Sequence, residues 1–286
     1  ADLDYPPPCG LPALRSAIAA YLRLARGIDC GAHQVFVTTG FRGSLQLAAL
    51  ALTQPGDGAW VEDPGYPPTR QLLSACGLSL TPVPVDAEGL DVERGMALAP
   101  DARLVAVTPA HQSPLSMSLS LPRRQALLDW AAARGAWVVE DDYDGEYRYV
   151  SRPLPALASL DRQGRVLYAG TFSKVLFPGI RLAYLVVPPS QIAACERVAR
   201  TFFAAATPAM TQAIVADFMA EGHFTRHIQR MRRLYAERRS ATRAALERGL
   251  RGALQTEPQP GGMHLVLRLP GVRTDQPLAE KLLAQG

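Results

Sequence analysis

Lysine is nearly missing from this chain. Of the 30 basic residues among its 286, only Lys174 and Lys281 are lysines and the other 28 are arginines. A guanidinium pairs with carboxylates, stacks on rings and grips phosphate, but it cannot condense with a carbonyl as a lysine amine does. Amine chemistry, if present, therefore has two candidates. Long apolar runs are missing too. No stretch approaches the ~18 to 20 uninterrupted apolar residues a membrane helix needs, and the start, Ala1-Asp2-Leu3-Asp4-Tyr5, is neither basic nor apolar. Both argue against membrane insertion and secretion. The four cysteines, Cys9, Cys30, Cys76 and Cys195, are scattered, form no Cys-x-x-Cys pair and gather no set of His and Cys at metal-ligand spacing. They read as reduced thiols of a cytosolic protein that holds no metal. Repeats and low-complexity linkers are absent, and a net charge of +4 is mild for a nucleic-acid binder of this size.

What is present describes a packed α/β protein. Hydrophobic residues make up 48% and charged residues 20%, a globular balance, and the length suits one large α/β domain or one domain plus part of a second. Strand-like and helix-like segments alternate. A helix opens near Pro12 and stops by Gly27, with Leu14, Ile18 and Leu22 inward, and Val35 to Thr38 reads as a strand. Gly40 to Gly43 reads as a tight loop feeding a helix from Ser44 to Leu52. Further strands fit Ala59 to Glu62, Leu78 to Val85, Leu104 to Val107, Trp137 to Glu140, Val166 to Ala169 and Leu182 to Val187. Ser120, Pro122 and Gly135 punctuate another helix as cap, first turn and stop. The pattern predicts a doubly wound, mainly parallel sheet flanked by helices.

After Pro188 the chain turns helical and ends in a long amphipathic segment from His223 to about Leu250, with Phe224, Ile228, Met231 and Tyr235 on one stripe. Nine arginines between Arg226 and Arg251 occupy its other faces, which read as a solvated bridge between two domains. Beyond Leu254 only one strand, Met263 to Leu269, and one helix, Pro277 to Leu283, are legible. They cannot close a core by themselves, so a small second domain is expected to be incomplete. The expected division is 1–222 for a large ligand-binding domain, 223–253 for a connecting helix and 254–286 for the start of the small one.

Three segments carry the chemistry. Glu140-Asp141-Asp142-Tyr143-Asp144-Gly145-Glu146 places acidic groups at the carboxyl end of an apolar strand, the edge where open α/β sheets bind ligands. Gly170-Thr171-Phe172-Ser173-Lys174 follows another strand, with Arg181 seven residues past the lysine. An amine, hydroxyls and a guanidinium together suit an anionic carbonyl compound, the amine condensing and the others holding a phosphate. Thr38-Thr39-Gly40-Phe41-Arg42-Gly43-Ser44 opens a helix after a strand, where backbone N–H groups attract anions.

In this order, with Asp63-Pro64-Gly65-Tyr66 and Thr108-Pro109-Ala110-His111-Gln112-Ser113-Pro114 between them, these segments resemble fold-type I pyridoxal-phosphate aminotransferases. They are most similar to the aminotransferase-like domain of MocR/GabR-type regulators of the GntR class. The resemblance implies pyridoxal 5′-phosphate as cofactor and Lys174 as the Schiff-base lysine and proton carrier. It implies Asp141 as partner of the pyridine nitrogen, with Asp142 and Asp144 as rivals, and Tyr143 directed at the phenolic oxygen O3′. It further implies Tyr66 stacked on the ring, and Thr171, Ser173, Arg181 and the backbone near Phe41, Arg42 and Gly43 on the phosphate. Tyr5 resembles the tyrosine that reaches a neighbouring subunit's phosphate, which implies a homodimer with shared sites. His111, the one histidine expected near the site, and Ser113, standing where aminotransferases usually have asparagine, complete the set.

The function so implied is a cytoplasmic effector-sensing domain that forms aldimines with an amine or amino acid ligand. DNA would be reached only through an N-terminal helix-turn-helix outside this chain, and the arginine that grips a ligand carboxylate is expected beyond Gly286. Two alternatives stand beside it: a free-standing class I/II aminotransferase acting on an amino acid and a 2-oxo acid, and a dimerisation module on this fold without cofactor.

Overall fold

The computed structural model describes residues 5–149, 155–203, 207–250, 255–256, 261–268 and 274–285. In chain order the first elements are α1 (Pro12–Arg26), β1 (Val35–Thr38), α2 (Phe41–Leu52), β2 (Gly58–Asp63), α3 (Pro67–Ala75), β3 (Ser79–Asp86), β4 (Gly89–Leu90), α4 (Val92–Leu98) and β5 (Leu104–Val107). There follow α5 (Leu121–Arg134), β6 (Trp137–Asp142), α6 (Leu157–Leu160), β7 (Val166–Thr171), α7 (Phe172–Val175), β8 (Ala183–Val186), α8 (Ile192–Phe202), α9 (Ala209–Ala220) and α10 (His223–Leu250). Two short strands, β9 (Gln255–Thr256) and β10 (Leu267–Arg268), and α11 (Gln276–Leu283) close the list.

Eight strands form one sheet in the order β1-β8-β7-β6-β5-β2-β3-β4. β7, β6, β5, β2 and β3 run parallel, β8 is antiparallel to both its neighbours, and β4 turns back on β3. The sheet is therefore mainly parallel and doubly wound, as its apolar strands predict: buried on both faces, they read as continuous hydrophobic runs. One face packs on α2, α3 and α8 through Leu45, Leu47, Leu73, Cys195 and Ala199. The other is shared. α4 and α5 cover one half, where Trp60 stacks on Trp130 at 3.8 Å between ring centroids, and α1, α9 and α10 cover the half made by β1, β7 and β8.

Local chemistry explains the boundaries. Gly27 and Gly135 end α1 and α5 in the left-handed conformation, at φ of 68° and 64°. Ser120 does precede α5, yet its side chain makes no capping bond. α2 starts at Phe41 rather than Ser44, so Gly43 lies inside the helix instead of in a loop. β6 and β7 each run two residues beyond the expected ends, to Asp142 and Thr171, because the sheet accepts polar residues where a ligand edge begins.

α10 buries Phe224 and Ile228 and packs Met231 and Tyr235 against the same cluster. Its described arginines are exposed, as expected, apart from the half-buried Arg239, and two of them also reach the loop after β6. Arg232 Nε donates to the Glu146 carbonyl at 2.8 Å, and the Arg239 guanidinium donates to the carbonyls of Gly261 and Gly262 and lies over Tyr149. The expected strand from Met263 shrinks to Leu267–Arg268, paired with Gln255–Thr256; its last residue, Leu269, falls outside the described residues, as do Leu254 and Arg251. The reason is that Gly261 to Met263 are taken up by the loop after β6: Gly261 bridges Arg148, Gly262 N–H donates to Tyr147 O at 2.7 Å and Met263 N–H to Asp144 Oδ2 at 3.2 Å.

Among the described residues no helix is long and apolar enough to cross a membrane, and no group of three His, Cys, Asp or Glu residues could hold a metal ion.

Candidate active site

Six segments meet at one edge of the sheet. They are the turn from β1 into α2, the residues after β2, the residues after β5, the ends of β6 and β7, and the turn that enters β8 from the same side. Between them lies a cavity of about 280 Å³ lined by Gly40, Phe41, Arg42, Tyr66, Ser113, Asp141, Tyr143, Thr171, Ser173, Lys174, Pro178, Arg181 and His264.

The strand period of two sorts the acidic run. Asp141 points into the cavity, is buried, and takes no hydrogen bond from any described residue. Burial, reinforced by the carboxylates of Asp142, Glu62 and Asp144, pushes its carboxyl far above the ordinary range, while Lys174 pulls the other way. Asp142 points to the opposite face. It accepts from Arg26 Nε at 2.7 Å, from the Tyr168 hydroxyl at 2.5 Å and from Gly145 N–H at 3.0 Å. Burial opposes ionisation of Asp142, but Arg26 and the Tyr168 hydroxyl hold it below the ordinary carboxylate value. Asp144 is engaged by His111 Nδ1 at 3.1 Å and by Met263 N–H. Of the three rivals, only Asp141 lines the cavity with a carboxyl that no described residue hydrogen-bonds.

The opposite end is built for an anion. Gly40 has φ 113° and ψ 173°, a backbone open to glycine, and an added Cβ would stand 3.6 Å from Arg181 Nη2. Arg181 thus lies over the start of α2, where the N–H groups of Phe41 and Arg42 have no acceptor within the helix. Arg181 itself adopts φ 50°, a left-handed conformation that an arginine takes at some cost, and its guanidinium makes no ion pair among the described residues. Thr171 Oγ1 accepts from Ser173 N–H at 3.1 Å, capping the single turn that presents Lys174 to the cavity.

These groups dictate what fits. The cavity is lined by an anion cradle, a buried carboxyl, an amine and an aromatic ring, Tyr66. Pyridoxal 5′-phosphate has a phosphate, a basic ring nitrogen, an aldehyde and a flat face, one for each, so the residues present suit it.

Three expected residues lie elsewhere. Gly43 is buried in α2 and does not line the cavity, because the helix begins two residues before it; an added Cβ would come within 2.9 Å of Thr39 Oγ1. His111 stands behind Tyr143, with Nδ1 3.3 Å from the Tyr143 hydroxyl, and lines a second cavity of about 180 Å³ with Arg26 and Asp142. Tyr5 is 84% exposed and outside this chain's cavity lining. His264 was not expected. It brings a half-buried imidazole to the cavity, its ring 6.3 Å from that of Tyr143, and burial pushes its pKa below the ordinary histidine value. His111 is therefore not the one histidine near the site. In Met263-His264-Leu265-Val266-Leu267 the histidine occupies an alternating polar position that reads as ordinary strand, which hid it.

Comparison with known proteins agrees with this geometry. The family described as Aminotransferase class I and II matches residues 2–286. The chain is 41% identical over 278 residues, 97% of its own length, to the probable rhizopine catabolism regulatory protein MocR of Rhizobium meliloti. It is 40% identical over 91% of its length to the HTH-type pyridoxine biosynthesis transcriptional regulator PdxR of Corynebacterium glutamicum, and it spans 56% of either regulator. Among solved structures, LysN of Thermus thermophilus, an α-aminoadipate aminotransferase complexed with N-(5′-phosphopyridoxyl)-L-leucine, superposes with a TM-score of 0.86 at 29% identity, covering 99% of this chain and 72% of that one.

Proposed function

Since the chain belongs to the class I and II aminotransferase family, as an aminotransferase-like domain homologous to MocR-type regulators and with pyridoxal phosphate as its cofactor, we propose that it is the part of a regulator that senses an amine or amino acid. The observation that carries this reading is the convergence of Lys174, Asp141 and Arg181 in one cavity, their side chains making no hydrogen bond and no ion pair within 4 Å among the described residues.

Pyridoxal phosphate, when bound, supplies an aldehyde that condenses with primary amines and a ring that draws off electrons. The residues do the rest. Arg181, Thr171, Ser173 and the N–H groups of Phe41 and Arg42 hold the phosphate. Asp141, otherwise an unfavourable buried charge, keeps a proton on the ring nitrogen. Tyr143, kept a phenol by burial and by nearby carboxylates, would offer its hydroxyl to the ring oxygen, with His111 Nδ1 against that hydroxyl from behind. Ser113, too short to replace asparagine at full reach, and Tyr66 complete the frame. Lys174 would hold the cofactor's aldehyde carbon and would be the base that moves a proton at the ligand Cα.

The division into 1–222, 223–253 and 254–286, a homodimer in which Tyr5 reaches the partner's phosphate, and a cytoplasmic location belong to the same reading. So does a DNA-reading part in the portion of the regulators that this chain does not match. The enzyme alternative is a transaminase such as LysN, and the sequence favours the regulators: identity reaches 40–41% with them and 29% with LysN. The test is operator affinity of the full-length regulator loaded with cofactor, with and without a panel of amines, beside a Lys174→Ala variant. A sensor changes affinity tenfold for about 1.4 kcal/mol of unequal ligand binding to its two arrangements, and the variant does not respond. An unresponsive operator affinity together with rapid transamination would make the chain an enzyme.

A further inference from the structure

Behind Tyr66 and Ser113 lies a cluster of buried polar groups that none of these roles uses. Its centre is Glu62, the penultimate residue of β2, on which three donors converge. Thr108 gives its N–H at 3.2 Å and its hydroxyl at 2.6 Å, and Gln112 gives its side-chain amide at 3.3 Å. The same Gln112 amide reaches the carbonyls of Pro64 and Ser113, both at 2.8 Å, while its Oε1 accepts Leu115 N–H at 2.9 Å. Thr108 Oγ1 in turn accepts Ser113 N–H at 3.3 Å. Glu62, Thr108 and Gln112 are all buried.

Two loops that face the cavity are thereby tied to one carboxylate. The loop after β2 carries Tyr66 and the loop after β5 carries Ser113; neither is in a strand where each residue would be held by the ladder. A void of only about 10 Å³ is lined by Glu62, Thr108, Tyr66 and Asp141, so the carboxylate is packed against the residues behind the ring site and a shift in one is felt by the others. Burial pushes the Glu62 carboxyl up to about 7, and the three hydrogen bonds oppose that rise.

We propose that Glu62 is a positioning residue for the cofactor ring: through Thr108 and Gln112 it locks the Tyr66 and Ser113 loops to each other and to the sheet under Asp141. This rests on the cavity being the pyridoxal-phosphate site. It also gives the Gln of the His111-Gln112-Ser113-Pro114 run its task, which is to join the two loops rather than to touch a ligand.

The test uses Glu62→Gln, which removes the charge and one acceptor, and Thr108→Val, which keeps the shape but removes the hydroxyl; the second serves if the first does not fold. Amide hydrogen exchange of the protein without added cofactor reads the lock directly. Both variants should exchange about tenfold faster at 63–66 and 112–116, the effect of losing one ordinary hydrogen bond, with α1 and β1 unchanged. Loaded with pyridoxal phosphate, they should lose most of the visible circular dichroism that a fixed ring induces, while borohydride still attaches the cofactor to Lys174. Exchange at the parent rate in both loops overturns the lock. Faster exchange with undiminished dichroism overturns the ring-positioning role and leaves Glu62 a purely structural residue. A parent protein that develops no cofactor band would refute the cavity reading and the positioning role together, and it is distinguished by the parent spectrum alone.

Discussion

Asp141 and Asp142 are neighbours in one strand, equally buried, and chemically identical, yet they face opposite sides of the sheet and live in opposite conditions. Asp142 belongs to a closed network: Arg26 pairs with it at 2.7 Å and with Glu146 at 2.8 Å, and Tyr168 and Tyr21 add their hydroxyls. Asp141 has no hydrogen bond from the described protein at all. A buried carboxylate is tolerated when it is paired and is costly when it is not. The comparison teaches how to tell a structural charge from a functional one: the first is satisfied by the fold, and the second is held in readiness for something that the fold does not supply.

The largest effect is expected on the satisfied side. Arg26→Ala would leave two buried carboxylates uncompensated and should cost about 3–5 kcal/mol of stability, read as a lower denaturant midpoint. A variant as stable as the parent would mean that the two faces do not differ as described.

Arg181→Ala addresses the cavity side. The guanidinium makes no ion pair among the described residues, so stability should hardly move, whereas cofactor affinity should fall by about 1.5–3 kcal/mol, roughly 10- to 150-fold. Unchanged affinity in a cofactor titration would remove Arg181 from the phosphate site.

Much of this arrangement was legible in the sequence. The strands β1, β5 and β7 stand out because strands buried on both faces are written as unbroken apolar runs, and the retained Lys174 stands out against 28 arginines. Which aspartate faces the cavity was not legible. Asp141, Asp142 and Asp144 are separated by one or two residues, the strand was expected to stop at Glu140, and only its continuation to Asp142 fixes the alternation. His264 was hidden for a related reason, since its place in the cavity depends on Gly262 and Met263 bonding to Tyr147 and Asp144, contacts more than a hundred residues away in sequence. Helices α3 and α4 escaped notice because both are short, and α3 opens on two prolines.

Asp141→Asn gives a small effect on stability, opposite in sign to that of Arg26→Ala, and separates the two aspartates most finely. The raised carboxyl means that the folded protein binds a proton which the unfolded chain releases above pH ~4. Stability without added cofactor is accordingly full below that pH and is lost as pH rises toward the folded value. The neutral amide removes the loss, so the variant should be about 1 kcal/mol more stable near neutrality with a flatter pH profile. Binding of pyridoxal phosphate should largely survive, and proton exchange at a ligand Cα should not. Asp142→Asn, breaking the satisfied network, should lower stability instead.

The central claim is that Lys174, the lysine held inside the cavity, is the amine that takes the cofactor. Reducing the protein loaded with pyridoxal phosphate by borohydride and mapping its peptides tests this directly. The account predicts one modified residue, Lys174, with Lys281 untouched; cofactor fixed on Lys281, or on no lysine, would contradict it.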